Sequence, residues 1–226
     1  MNGGLDIVFL DVAGPIYDDG VYARALLSAL RELGADVTDE DFWFEYDVRR
    51  REQAGLTRPL VRRFLGPDAD LRAVAELTER GWRYPPEALY DDVLPALDRL
   101  AGRYRIGVLA NQPEATRAAL ERDGVARYVD VWVVSEEVGL SKPDPRIFAH
   151  AVDAAGCPPE RAVFVGNRLD NDVRPAREAG LRTIWVLRGE APAEPTAAQL
   201  AEADVAIRTL AELPDALARL APAVAT

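Results

Sequence analysis

The sequence predicts a doubly wound α/β fold, a parallel sheet with helices on both faces, and an all-helical segment inserted after the first strand. Three observations predict it. From Val93 onward, short β-branched runs alternate with helical segments of about ten residues, the rhythm of parallel β–α units joined by right-handed crossovers. The run Ile7–Val12 (IVFLDV) has the same character but stands alone, far upstream. Between the two, residues 16–88 carry helical spacing and no convincing strand.

Taken in order, Ile7–Val12 reads as a buried strand that ends on Asp11 and then turns at Gly14-Pro15. Tyr22, Ala25, Leu26, Ala29, Leu30 and Leu33 recur at helical spacing, and Gly34 stops that helix. Thr38 opens a second helix, with Asp41 three positions on as a relative of the capping box. Leu56–Leu65 and Asp70–Arg80 are two more helices, parted by Gly66-Pro67. The alternating part then runs helix Val93–Leu100, strand Ile106–Ala110, helix Glu114–Arg122, strand Val131–Ser135 and helix Pro145–Ala155. It continues with strand Ala162–Val165, helix Asp172–Ala179, strand Thr183–Leu187, a short strand Val205–Ile207 and a helix Leu210–Leu220. Residues 1–15 and 89–226 therefore form the α/β core, and 16–88 form a helical cap over the strand ends.

The 226 residues, 49% of them hydrophobic, suffice for a sizeable core. A net charge of −11 repels phosphate backbones and argues against nucleic acid as a partner. No apolar run is long enough to span a bilayer, and the first residues lack the basic start of a signal peptide. The single Cys157 cannot staple the fold, which suits a reducing, cytoplasmic compartment. Arg occurs 26 times and Lys once, so Lys142 stands out.

In parallel sheets the working residues gather beyond the carboxyl ends of the strands. Four features fall there in order: Asp11 in FLDVAGPIYD, Asn111 in VLANQ, Lys142 in SKPDPRIF, and Asn167, Asp170 and Asp172 in FVGNRLDNDVRPAREAG. With these motifs the chain resembles the haloacid dehalogenase superfamily, in the branch with a helical cap after the first motif, from Ile7 to about Leu220. The resemblance implies that Asp11 is a nucleophile forming a covalent aspartyl intermediate. It also implies that Lys142 balances and positions that carboxylate and that Asp172 is the surviving acid of the fourth motif. Asn111, Asn167, Gly14 and, from the cap, Arg24 are the candidate substrate contacts.

The motifs also depart from the family pattern. The opening Asp-x-Asp-Gly-Thr reads Asp11-Val12-Ala13-Gly14-Pro15, so the aspartate that protonates a phosphate ester's leaving oxygen is Ala13. The Ser/Thr of the second motif is Ala110, and the magnesium-binding aspartate of the fourth is Asn167. The family's metal positions therefore read Asp11, Ala13, Asn167 and Asp172, and magnesium binding is expected to be weakened or lost. The Ala13-Gly14 pair is similar to phosphonoacetaldehyde hydrolases, which need a cap lysine, and residues 16–88 contain none. Asp11, Asn111, Lys142 and Asp172 match the metal-free 2-haloacid dehalogenases, whereas Pro15, Asn167 and Leu169 do not.

Two functions are compatible with this. One is a hydrolase that uses Asp11 on a small anionic substrate with an activated leaving group, C–X or phosphoryl, rather than an ordinary magnesium-dependent phosphomonoesterase. The other is a catalytically silent protein that binds a ligand or partner in the same cleft.

Overall fold

The computed structural model describes residues 4–81 and 84–220. Its centre is a six-stranded, all-parallel sheet in the order β3-β2-β1-β4-β5-β6. The strands are β1 (Ile7–Leu10), β2 (Arg105–Ala110), β3 (Val131–Val134), β4 (Ala162–Gly166), β5 (Arg182–Val186) and β6 (Val205–Ile207). The first strand lies in the middle, with Leu10 opposite Val108 of β2 on one side and Val165 of β4 on the other.

Side chains alternate along each strand and so build two apolar layers. Val8 and Leu10 of β1, Val108 of β2 and Val163 and Val165 of β4 face one layer. Ile7 and Phe9, Leu109 and Phe164 face the other. Both faces are covered, as a parallel sheet requires. Helices α5 (Val93–Leu100) and α11 (Leu213–Leu220) pack in the first layer, and α8 (Pro145–Ala155) packs in the second. At Gly107 a side chain would run into the Phe9 ring, so the small residue lets β2 lie flush beside β1.

Four helices follow β1: α1 (Gly20–Glu32), α2 (Asp39–Glu52), α3 (Thr57–Leu65) and α4 (Leu71–Gly81). They close on their own apolar cluster, which includes Leu26, Leu30, Phe42, Leu60 and Val74. Thr38 caps α2 as its sequence predicts, accepting from Asp41 N at 3.1 Å. Phe42 is buried in this cluster, whereas Phe44 points outward. Ile16, Tyr17, Tyr84 and Ala88 pack in the sheet's first layer instead, so the core takes in both ends of the segment read as cap.

The remaining elements are α6 (Thr116–Arg122), α7 (Ser135–Val138), α9 (Arg174–Glu178) and α10 (Ala197–Leu200). The helix read as Asp172–Ala179 starts earlier and differently. A π-helical turn spans Leu169–Val173 and α9 continues it. The wider turn lets Asp172 N and Val173 N both bond to Arg168 O and directs the Asp172 carboxylate back under the strand ends.

Candidate active site

Asp11 follows directly on β1, where its N–H still pairs with Val165 O at 2.9 Å. Its side chain is almost fully buried, and Val12 N donates to Oδ1 at 2.8 Å. Lys142 reaches Asp11 Oδ2 at 2.8 Å and Asp172 Oδ1 at 2.7 Å. The fold thus brings together three residues that lie far apart in sequence, and none of the three side chains has more than slight exposure.

Burial and the neighbouring Asp172 charge push the Asp11 carboxyl up to about 6, against the pull of Lys142. Burial alone would lower the Lys142 ammonium, but the two carboxylates outweigh it and hold it above its ordinary value. Both groups hold their protons more tightly than usual, but for different leading reasons. Burial, helped by Asp172, outweighs the ammonium's pull at Asp11, whereas the two carboxylates outweigh burial at Lys142.

The lysine's backbone is held as well. Asn111 Nδ2 donates to Lys142 O and Lys142 N donates to Asn111 Oδ1, both at 2.7 Å. Asn111, expected as a substrate contact, is thereby first a brace for the lysine loop. Asp172 Oδ2 accepts the backbone N–H groups of Asn167 and Arg168 at 3.1 and 3.0 Å. Gly166 makes this possible, since a Cβ there would overlap the Asp172 side chain.

A cavity of about 250 Å³ opens over these residues, lined by Asp11, Ala13, Asn111, Asn167 and Arg168 from the core. Tyr22 and Thr57 enter it from the helical unit, their hydroxyls 3.2 Å apart. A larger hollow, about 1040 Å³ between α4 and α6, contains none of Asp11, Lys142 or Asp172. Gly14 (φ 87°) lies against the Asn167 amide, with no room for a Cβ between them. Arg24 is not brought to the cavity. It lies on the exposed side of α1, 3.7 Å from Asp18.

Three groups escaped sequence reading. Asp19 is buried in the cavity wall, where Oδ2 accepts from Asn167 Nδ2 and from Glu190 N, each at 2.8 Å. Burial, then the Glu190 charge, hold its carboxyl well above the usual range. Glu190, also in the wall, pairs with Arg168 at 3.2 Å. Arg188 braces the turn after β1, donating to Gly14 O at 2.9 Å and pairing with Asp92 at 2.9 Å. No local pattern marks any of them, because their partners lie far away in sequence.

The metal positions of the family are not reassembled. Ala13 has no donor, Asn167 turns its amide nitrogen to Asp19, and Asp172 has both oxygens engaged by Lys142 and backbone N–H groups. Among the described residues no three His, Cys, Asp or Glu side chains gather to hold a metal ion. The residues present do not fit a magnesium site.

A profile of haloacid dehalogenase-like hydrolases matches residues 5–180. The chain belongs to that family. It is 32% identical over 201 residues to a glyceraldehyde 3-phosphate phosphatase of Methanopyrus kandleri, covering 81% of this chain and 84% of the relative. Among solved structures it is similar to a HAD phosphatase from Thermococcus onnurineus, with 25% identity, TM-score 0.61, and 94% and 98% of the two chains covered. A 2-haloacid dehalogenase from Pseudomonas syringae, at 24% identity and TM-score 0.61 with 95% and 99% covered, shares the fold. No helix among the described residues is long and apolar enough to cross a membrane.

Proposed function

We propose that this haloacid dehalogenase-like hydrolase attacks a small anionic substrate with the Asp11 carboxylate, and that the bond it cleaves is to a phosphoryl group. The observation that carries the reading is the buried Asp11–Lys142–Asp172 line at 2.8 and 2.7 Å. A carboxylate kept ionised by a fixed ammonium at the floor of a cavity suits a covalent nucleophile. The phosphatase names of relatives that align along most of the chain favour phosphoryl over carbon–halogen chemistry.

In the first step an Asp11 oxygen attacks phosphorus as the bond to the leaving oxygen breaks. In the second, water attacks the aspartyl phosphate and frees Asp11 and phosphate. Lys142 holds the nucleophile throughout and offsets the charge that gathers around it. No step is assigned to magnesium. Ala13 cannot supply the leaving group's proton, so Asp11 and Lys142 by themselves would cleave only substrates with good leaving groups.

The four-helix unit acts as a cap, supplying Tyr22 and Thr57 to the cavity wall. The cavity is below the usual range for drug-sized ligands, which restricts the substrate to a small molecule. A net charge of −11 disfavours nucleic acid, and a lone cysteine accords with a cytoplasmic protein.

A screen of small phosphate esters and acyl phosphates beside 2-haloacids, with Asp11→Asn as control, tests the reading. Phosphate release that D11N abolishes is expected. Halide release in its place, or release unchanged in D11N, overturns it. Turnover of none of these favours the alternative, a catalytically silent protein that binds a ligand in the same cleft.

A further inference from the structure

The departures at Ala13 and Asn167 look like two independent losses in sequence, but in the fold both positions line one cavity wall with Asp19, and Asn167 binds it directly. Asn167 Nδ2 donates to Asp19 Oδ2 at 2.8 Å, and Glu190 N donates to the same oxygen at 2.8 Å. Asp19 Oδ1 has no partner among the described residues, and Asp19 lines the cavity that also contains Asp11 and Ala13. The pair is boxed in by two glycines. A Cβ on Gly14 would overlap the Asn167 amide, and one on Gly189 would overlap the Asp19 carboxyl. Both glycines have positive φ, 87° and 61°, so the backbone is shaped around the pair.

Asn167 is what allows this arrangement. A carboxylate at position 167 would stand against the Asp19 carboxyl at hydrogen-bond distance and compete for the proton that Asp19 must give to the leaving group. An amide supplies the donor and fixes Asp19 through one oxygen, and the other is left without a partner among the described residues, on a side chain that lines the cavity with Asp11.

We propose that Asp19 is the proton donor and acceptor of the reaction, a catalytic carboxyl displaced from position 13 to the start of α1, with Asn167 as its positioning residue. The assignment rests on the phosphoryl-transfer reading above. As Asp11 attacks and the phosphorus–oxygen bond breaks, the electron pair goes to the leaving oxygen, which takes the proton from Asp19. The Asp19 carboxylate then accepts a proton from the water that attacks the aspartyl phosphate. Phosphate leaves, Asp11 is a carboxylate again, and Asp19 has regained its proton.

Leaving-group dependence tests this. Wild-type protein and Asp19→Asn are assayed with glycerol phosphate, a poor leaving group, and with 4-nitrophenyl phosphate, a good one. D19N is close in shape, and its amide oxygen can accept the same two hydrogen bonds. A general acid contributes roughly 10²–10⁴-fold, so D19N should lose that much in kcat/KM, which reports the step that forms the aspartyl phosphate, on glycerol phosphate and less than about tenfold on 4-nitrophenyl phosphate, while kcat falls on both because the hydrolysis step is shared. Asp19→Ser, smaller and equally without a carboxyl, is measured beside it in case D19N folds poorly, and the same split is expected. An equal loss in kcat/KM on both substrates, or no loss on either, overturns the assignment while leaving Asp11 as nucleophile. A wild-type protein inactive on both overturns the phosphoryl-transfer reading and this assignment with it.

Discussion

Asn111 and Lys142 grip each other at both ends of one side-chain amide, with Nδ2 donating to Lys142 O and Oδ1 accepting from Lys142 N at 2.7 Å each. The consequence is that the ammonium is aimed by its backbone as well as by its partners. Asn111→Ala should lower kcat while leaving KM nearly unchanged, because the lysine drifts rather than the substrate pocket. Two lost, partly buried hydrogen bonds should cost about 1–3 kcal/mol of stability in a urea melt. A rise in KM with kcat intact would instead make Asn111 a substrate contact.

Removing the cation itself is harsher. Lys142→Met leaves Asp11 and Asp172 buried side by side without a counter-charge. Breaking a buried pair in this way typically costs about 3–5 kcal/mol, and activity should vanish with it. A K142M protein as stable as the parent would show that the cavity is wetter than its burial indicates.

The Asp11 carboxyl, pushed up to about 6, sets the acid limb of activity. Attack needs the ionised form, so kcat/KM should rise with pH through about 6 and level off above it. Stability runs the other way. A carboxyl raised from 3.8 to about 6 on folding favours the protonated native state, so its contribution is best below 3.8 and is lost as pH rises through 6. The shift corresponds to about 3 kcal/mol, so Asp11→Asn should be inactive yet more stable than wild type at pH 8. A D11N protein that melts earlier than wild type at pH 8 contradicts this.

Covalent catalysis leaves a mark on the protein. Hydrolysis in ¹⁸O water under single-turnover conditions should place label in the Asp11 carboxyl, read by mass spectrometry of the peptide. Product without label at residue 11 rules the covalent route out.

Calorimetry should find magnesium binding weaker than millimolar, since Ala13 and Asn167 bring no charge and Asp172 is already engaged. Tight magnesium binding would show that Asn167 or Asp19 turns to meet the ion.

Much of this is legible in the sequence, for physical reasons that differ by residue. The strands declare themselves because a parallel sheet buried on both faces demands unbroken β-branched runs, and all six lie within a residue or two of where IVFLDV, IGVLA, AVFV and their like put them. Asp11, Lys142 and Asp172 are legible through motif context at strand ends. Asp19 is not, because an aspartate just before a helix has the same local signature as an ordinary cap, and its partner Glu190 N is 171 residues away. Arg24 misleads for the converse reason. An arginine on a helix shows its charge in the sequence, but the side of α1 it occupies depends on which face packs, and that face belongs to Ala23, Leu26 and Leu30. The π-helical turn at Leu169–Val173 has no composition signal, since it exists to deliver Asp172 rather than to satisfy its own residues.

The four-helix unit has its own apolar interior, distinct from the two layers of the sheet, and much of its tie to the core is polar. Arg50 donates to Ala191 O, Gln53 to Glu190 O, and Gly55 N to Asp170. Because the two interiors are separate, repacking inside α1–α4 leaves the sheet layers beneath Asp11 intact, and the helical unit reaches the cavity wall through Tyr22 and Thr57.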